Sequence, residues 1–184
     1  RGPLEALARG VTIGPEDLVF RCNLITLVDG YLVDFTADYI EDTQAQALIS
    51  GLNDALKDET VRFLAGHSYR HLFVWQNAGA EPRVETTDPQ TILEQPVRRH
   101  VPRGLDADPL ERLVRWSQRI LTDHDVNLVR RDLGERPANS VWVYGNGPAV
   151  ELPSLLSVRD VHGALIAGTD LARAGGGAGY VCAG

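Results

Sequence analysis

The segment Leu18 to Val28 constrains this chain more than any other. Leu18, Phe20, Cys22, Leu24 and Val28 fall on alternate positions, so an extended backbone puts them on one face of a sheet. The other face then carries Val19, Arg21, Asn23 and Ile25. Asp29-Gly30 follows directly as a hairpin signal, and Tyr31 to Phe35 reads as the returning strand. A strand that is apolar on one side and bears a guanidinium and an amide on the other needs helices over the first side. It leaves the second side for a ligand or for water.

The rest of the chain supplies those helices. Ala45, Leu48, Ile49, Leu52, Ala55 and Leu56 recur at helical spacing over about 43–56, with Asp42 or Thr43 as the expected cap. A second amphipathic helix begins at Asp108-Pro109-Leu110-Glu111, which reads as a capping box, and buries Leu110, Leu113, Val114, Ile120 and Leu121. Shorter helices are expected over 4–7, ended by Gly10, and over 127–133. Further strands are expected near 61–65, 70–75, 140–144 and 164–167. Residues 77–106 are rich in Pro, Gly and charge and read as an irregular excursion; a loop that long is more often functional than ornamental. The irregular order of strands and helices, with a hairpin, gives an α+β fold: a mixed sheet with helices packed largely on one side, a two-layer sandwich.

Composition narrows the function classes. The 184 residues carry a net charge of −7, which argues against a nucleic-acid partner. No apolar run approaches the roughly 20 residues that span a bilayer, and the N-terminus lacks a signal-peptide pattern, so no membrane partner and a cytoplasmic location are expected. Of the 18 basic residues, 17 are Arg and one is Lys57. Guanidinium forks suit phosphate and carboxylate, although a composition bias explains most of them. Cys22 and Cys182 match no metal spacing, and a disulfide between them is not expected in a reducing compartment. The chain begins at Arg1 and contains no Met, so it is expected to be a piece of a longer product.

Several groups could carry chemistry, each with a plainer alternative. Arg21 and Asn23 share a strand face and could bind a carboxylate or phosphate; the plain alternative is a half-open face with Arg21 in a surface ion pair. His67, Tyr69, Arg70 and His71 cluster at a strand start. A metal there would need the two histidines on one face and a carboxylate nearby, whereas Arg70 could contact an anion or simply face water. Asp123-His124-Asp125 reads as a helix C-terminus with His124 against the dipole, and Asn127 and Arg130 could project from one turn. Gly145-Asn146-Gly147 after a strand resembles a phosphate-cradling turn but lacks a Lys and a following helix, so a plain loop is the alternative. No serine stands in a nucleophile elbow, and no Asp/Glu constellation suggests a metal.

A series of segments changes the balance. Arg1-Gly2-Pro3-Leu4-Glu5-Ala6-Leu7, Phe20-Arg21-Cys22-Asn23, Asp123-His124-Asp125-Val126-Asn127 with Arg130, Pro137-Ala138-Asn139, and Tyr144-Gly145-Asn146-Gly147 with Leu152-Pro153 follow one another along most of the chain. Together they resemble the inserted domain of the archaeal-type 2,3-bisphosphoglycerate-independent phosphoglycerate mutases, of the alkaline phosphatase superfamily. The sequence departs from that pattern at Asp125, where the family has Pro, and near Leu171-Ala172-Arg173, where it has Lys-Gly.

The resemblance implies an enzyme that interconverts 3-phosphoglycerate and 2-phosphoglycerate in glycolysis, without a 2,3-bisphosphoglycerate requirement. It implies two divalent cations (Mn or Mg) and a nucleophile in a covalently linked catalytic domain, with no metal and no catalytic residue in this piece. Residues 1–174 would be the substrate-binding cap and 175–184 a glycine-rich linker. Substrate contacts would fall to Arg1, Arg21, Asn23, Arg70, His124, Asn127, Arg130, Asn139 and Gly145. A stand-alone module that binds a phosphorylated metabolite, or the cap of a related metal-dependent phosphatase, is the alternative.

Overall fold

A computed structural model describes residues 1–79 and 83–150, with the backbone of two further short strands at Gly163–Leu165 and Tyr180–Cys182. The central strand is β1, Leu18–Val28, and it is flanked on both sides. Strand β4 (Arg70–Trp75) pairs with its first half and β2 (Tyr31–Asp34) with its last turn, while β5 (Ser140–Gly147) runs along the opposite edge. Strand β3 (Val61–His67) closes the sheet outside β4. Every pairing in this five-stranded sheet is antiparallel. The sheet expected to be mixed is therefore antiparallel, and among the described residues parallel pairing occurs between β6 (Gly163–Leu165) and β7 (Tyr180–Cys182). Strand β7 falls at the end of the segment expected as linker; residues 175–179, Leu152-Pro153 and the 171–173 segment lie outside the described residues.

The alternation in β1 builds two cores. Leu18, Phe20, Cys22 and Leu24 face α2 (Asp42–Ala55) and α3 (Ala107–Thr122), together with Phe63, Phe73 and Val143. Phe20, Phe63 and Phe73 stack in series at 5.7 and 5.2 Å. Cys22 is a free, buried thiol in this layer, and burial pushes its pKa up. On the other face, Val19 packs with Leu72, Val74 and Ala6 of α1 (Gly2–Ala8), and Ile25 packs with Leu32, Ile92, Trp142 and Tyr144. The α+β two-layer architecture with helices largely on one side holds, with α1 as the exception. The second face is not half open: α1 and the excursion cover most of it.

The turns follow their residues. Asp29 and Gly30 both take positive φ (50° and 78°), the type I′ signature that matches strand twist. The β3–β4 hairpin turns at Ser68 and contains a register shift between Leu64 and His67, where a Cβ on Gly66 would collide with the Arg70 carbonyl. The excursion is ordered by an isolated bridge between Glu85 and Arg103, another between Tyr31 and Pro96, and 3-10 turns at Pro89–Ile92 and Val97–Arg99.

Helix ends depart from expectation. Asp42 is the first residue of α2, not its cap; its carboxylate accepts from the Ser68 N–H (2.6 Å) and pairs with His67 (2.8 Å), which holds its pKa low. No capping box forms on α3. Its N-cap is Asp106, whose carboxylate pairs with Arg83 at 3.0 Å. The α3 stripe includes Ser117, whose hydroxyl donates to Val114 O and accepts from Val141 N–H, tying the helix to β5.

Candidate functional site

Residues directly opposite in neighbouring strands share a face. Arg21 lies opposite Leu72 of β4 and Tyr144 of β5, and Asn23 lies opposite Arg70 and Trp142. Strand pairing alone thus collects Arg21, Asn23, Arg70 and Tyr144 on the side away from α2 and α3. Helix α1 completes the patch because Gly2 lets it rest on β1: a Cβ there would sit 2.7 Å from Val19 O and 2.8 Å from Arg21 N. That close approach brings Glu5 to 3.0 Å from the Arg21 guanidinium, a pair almost wholly buried.

The polar groups interlock. The Arg21 guanidinium lies 5.6 Å from the Tyr144 ring centroid, a cation–π distance. The Tyr144 hydroxyl donates to Asn23 Oδ1 at 3.4 Å, and Asn23 Nδ2 donates to Phe35 O at 3.1 Å. Burial raises the Tyr144 pKa, so the phenol remains a donor at neutral pH. The main-chain nitrogen of Arg1 donates to Gly145 O at 2.9 Å, and its side chain pairs with Asp88 at 2.6 Å. Gly145 takes φ +62° because β5 carries one more residue than β1 between Val19↔Gly147 and Arg21↔Tyr144. Gly145-Asn146-Gly147 is therefore a β-bulge within a strand, and the expected turn is corrected. The bulge is pinned from outside by Thr86, whose hydroxyl accepts from Gly145 N–H and donates to Asn146 Oδ1.

Arg70 is the guanidinium on this face with no carboxylate within ion-pair reach among the described residues. It lies over the Tyr69 ring at 5.5 Å. Tyr69 in turn meets Tyr39 edge-on at 6.0 Å and Phe35 at 6.3 Å. Arg21 is neutralised by Glu5, yet its Nε is buried without a hydrogen-bond partner. Arg70 thus brings a guanidinium without a carboxylate partner to the face, while Arg1, on the β5 side, is paired with Asp88 and Arg21 with Glu5.

Five of the nine residues singled out from sequence, Arg1, Arg21, Asn23, Arg70 and Gly145, come together here. The other four, His124, Asn127, Arg130 and Asn139, lie elsewhere in the fold. His124 is the N-cap of α4 (Asp125–Asp132), accepting from Val126 N–H through Nδ1 at 3.2 Å, rather than a C-terminal dipole partner. Asn127 is fully buried and bridges Leu121 O, Ala138 O and Ala138 N–H. Asn139 pairs both ways with the Leu27 backbone at 2.8 Å. Arg130 donates to Arg136 O, Gln44 Oε1 and Ala37 O and pairs with Glu135. The side chains of Asn127, Arg130 and Asn139 are bonded to the chain's own polar groups, whereas His124 uses Nδ1 alone.

Arg130 still acts on the patch at one remove. Ala37, Asp38 and Tyr39 all take left-handed φ (47°, 58°, 50°), a costly run for residues other than glycine. Asp34 accepts from Thr36 N–H, Thr36 Oγ1 and Asp38 N–H; burial opposes its ionised form, but these bonds and Arg136 hold its pKa low. Arg130 clamps the same turn at Ala37 O. The turn presents Tyr39 to Tyr69, and Tyr69 carries Arg70.

His67 and His71 lie on different strands and share no ligand. His67 is exposed on Asp42. His71 is buried; its Nδ1 accepts from Gly66 N–H at 3.0 Å, and burial lowers its pKa to about 3, with Arg9 adding to the effect and Asp42 opposing it. Among the described residues, no three His, Cys, Asp or Glu side chains converge in a way that could hold a metal ion. Sequence reasoning missed Glu5, Tyr144 and Asp88. Glu5 and Tyr144 had signals, namely helical spacing from Arg1 and strand alternation toward Arg21. Asp88 had none.

The domain is thus a two-layer α+β sandwich whose sheet face away from α2 and α3 gathers guanidinium groups. Residues 1–127 match the family model described as 2,3-bisphosphoglycerate-independent phosphoglycerate mutase, and the chain belongs to that family. It is 40% identical over 174 residues to the enzyme of that name from Methanosarcina mazei, covering 94% of this chain and 43% of the relative. It is 41% identical over 175 residues to the second such enzyme of Methanothermobacter thermautotrophicus, covering 94% and 42%. In structure it resembles the cofactor-independent phosphoglycerate mutase of Thermoplasma acidophilum, with a TM-score of 0.69 and 27% identity over 95% of this chain and 48% of that one. The chain spans less than half the length of these relatives. No helix among the described residues is long and apolar enough to cross a membrane.

Proposed function

We propose that this chain is the substrate-binding domain of a cytoplasmic phosphoglycerate mutase that interconverts 3-phosphoglycerate and 2-phosphoglycerate, and that it is inactive on its own. The carrying observation is the convergence of Arg1, Arg21, Asn23 and Arg70 on one sheet face of a chain that belongs to this family. Phosphoglycerate is a small dianion with a carboxylate at the other end, and it needs donors at more than one point. Arg70 and Arg1 supply half-exposed charge, and Asn23 and the Tyr144 hydroxyl give the floor its polarity. Two divalent cations and the phosphoryl-accepting nucleophile belong to a linked catalytic domain; the described residues hold no set of ligands for them. The role of this face is to hold the glycerate while the phosphoryl group moves, and to exclude water as the domains close.

The test has two arms. Titrating the 184-residue chain with 3-phosphoglycerate should perturb NMR signals of Arg70, Asn23 and Tyr144 with a weak, millimolar-range affinity, and Arg70→Ala should remove the effect. In the complete enzyme, Arg21→Ala should lower kcat/KM by about 10²-fold or more. Mutase turnover by the chain alone would overturn the division of labour. Near-normal activity of Arg21→Ala would overturn its assignment.

A further inference from the structure

A groove lies on the opposite side of the sheet from the arginine face. It runs between the C-terminal end of α2 and the stretch of α3 from Pro109 to Arg119, over the ends of β3 and β4, with a volume of about 630 Å³. That volume is typical of small-molecule sites, which range over about 300–1,000 Å³. Its walls are apolar: Leu56, Val61, Phe73, Trp75, Leu113 and Trp116. Both indoles are half-buried, so each keeps part of its surface open.

The rim is cationic. Lys57 stands on one wall, and Arg112, Arg115 and Arg119 stand on the other, against the single carboxylate of Asp58. Asp58 is already held by Thr60, and Arg115 by Glu111 at 2.8 Å. Lys57, Arg112 and Arg119 form no ion pair among the described residues. A local excess of positive charge in a chain of net −7 calls for an anionic occupant. A two-fold copy of the chain is the wrong occupant, because an isologous contact would set this rim against itself.

Spacing narrows the chemistry. Trp116 lies four residues after Arg112 and three before Arg119, so cation, indole and cation share one stripe of α3. The two free arginines are about 10 Å apart along the helix at 1.5 Å per residue, with Lys57 across the groove. A single carboxylate reaches only one of these cations. A chain of phosphates reaches several, while a flat base stacks on an indole at about 1–3 kcal/mol per contact.

We propose that this groove is a second ligand site, and that it takes a nucleoside di- or triphosphate. The base lies against Trp75 and Trp116, and the phosphates lie on Arg112, Arg119 and Lys57. The site is separated from the phosphoglycerate face by the whole thickness of the sheet, and it stands whether or not that reading does.

The 184-residue chain has three tryptophans, and ¹H–¹⁵N NMR reads their indole N–H groups separately. Trp142 serves as the internal control, since it is buried on the other face with its Nε1 donating to Thr87 O. ADP should move the Trp75 and Trp116 signals with a Kd below about 1 mM and leave Trp142 unmoved. Adenosine and pyrophosphate should each bind at least about tenfold more weakly, and octanoate and 3-phosphoglycerate should leave the two indoles unmoved. Arg112→Glu with Arg119→Glu should weaken ADP more than about tenfold, while Arg62→Ala, an exposed change on β3, should not. If the double charge reversal fails to fold by circular dichroism, Arg112→Gln with Arg119→Gln replaces it. The proposal falls if about 10 mM ADP moves neither indole, if adenosine or pyrophosphate binds as tightly as ADP, if octanoate or 3-phosphoglycerate moves the indoles, or if the arginine variants bind ADP normally.

Discussion

Arg21 and Arg130 are both buried guanidinium groups at the edge of an apolar core, and the chain treats them in opposite ways. Arg130 is 3% exposed and its nitrogens reach two backbone carbonyls, an amide and a carboxylate. Arg21 is 8% exposed, faces one carboxylate and one aromatic ring, and keeps a buried Nε without a partner. The first arrangement is what a structural clamp requires, since every buried donor is satisfied. The second leaves donor capacity in hand on the face that also gathers Asn23, Arg70 and Arg1. Saturation, more than burial or charge, separates Arg130 from Arg21, the arginine proposed to meet a ligand.

The comparison breaks most readily at Arg130. Arg130→Ala strands the carbonyls of Ala37 and Arg136 and releases a left-handed turn, so unfolding in urea should show a loss of about 3–5 kcal/mol. If the domain retains its turn, the same variant should weaken 3-phosphoglycerate binding through Tyr39 and Tyr69. A loss under about 1 kcal/mol would mean that Arg130 is not a clamp. Asn127 is the uncharged counterpart, and Asn127→Ala should cost about 2–3 kcal/mol by orphaning Leu121 O, Ala138 O and Ala138 N–H.

How much of this was legible beforehand depended on the range of each interaction. The alternation in β1, the α2 stripe at Ala45, Leu48, Ile49 and Leu52, and the Asp29-Gly30 turn are local facts, and they appear as read. Arg21 and Asn23 could be placed on one face because strand parity is local as well, whereas Arg70 joins them only through the β1–β4 register. Helix ends depart from their local reading: Asp42 reaches Ser68 across the fold, the capping box expected at Asp108 gives way to an N-cap at Asp106, which pairs with Arg83, and His124 caps the helix that follows α3. Gly145 was misread as a turn because a bulge depends on the residue count of the partner strand. Asp88 was invisible, since only the completed fold brings it to Arg1.

His71 offers a milder probe of the helix-side face. Its folded pKa, about 3, lies below its ordinary value of 6.5. The folded protein therefore resists protonation while the unfolded chain accepts it. The stability this represents is fully present above pH 6.5 and is lost as pH falls from 6.5 toward 3, by about 1.4 kcal/mol per pH unit for one proton. Replacing His71 with Gln should remove that slope from urea-unfolding data collected between pH 6.5 and 4. An unchanged slope would show that other groups carry the acid sensitivity in this window; Asp34 and Asp42 do not, since carboxylates lowered from 3.8 lose their contribution only at more acid pH.

The smallest expected stability change makes the sharpest test of the opening contrast. Replacing a buried ion pair by apolar residues of similar size is often close to neutral, because the desolvation cost of both charges disappears with their attraction. Arg21→Met combined with Glu5→Leu should leave unfolding stability within about 1 kcal/mol of the parent, since Arg21 lies on a face already lined by Val19, Leu72 and Tyr144. Either single change should cost more, because it removes one member of the buried pair and leaves the other charge buried. The same double variant should abolish 3-phosphoglycerate binding. An apolar swap at Arg130, by contrast, cannot be neutral, because no side chain without donors satisfies Ala37 O and Arg136 O. If the Arg21/Glu5 swap costs as much as Arg130→Ala, the two arginines are the same kind of residue and the ligand face loses its central member. If it costs little and binding survives, Arg21 is mere packing, and recognition passes to Arg70 and Arg1 alone.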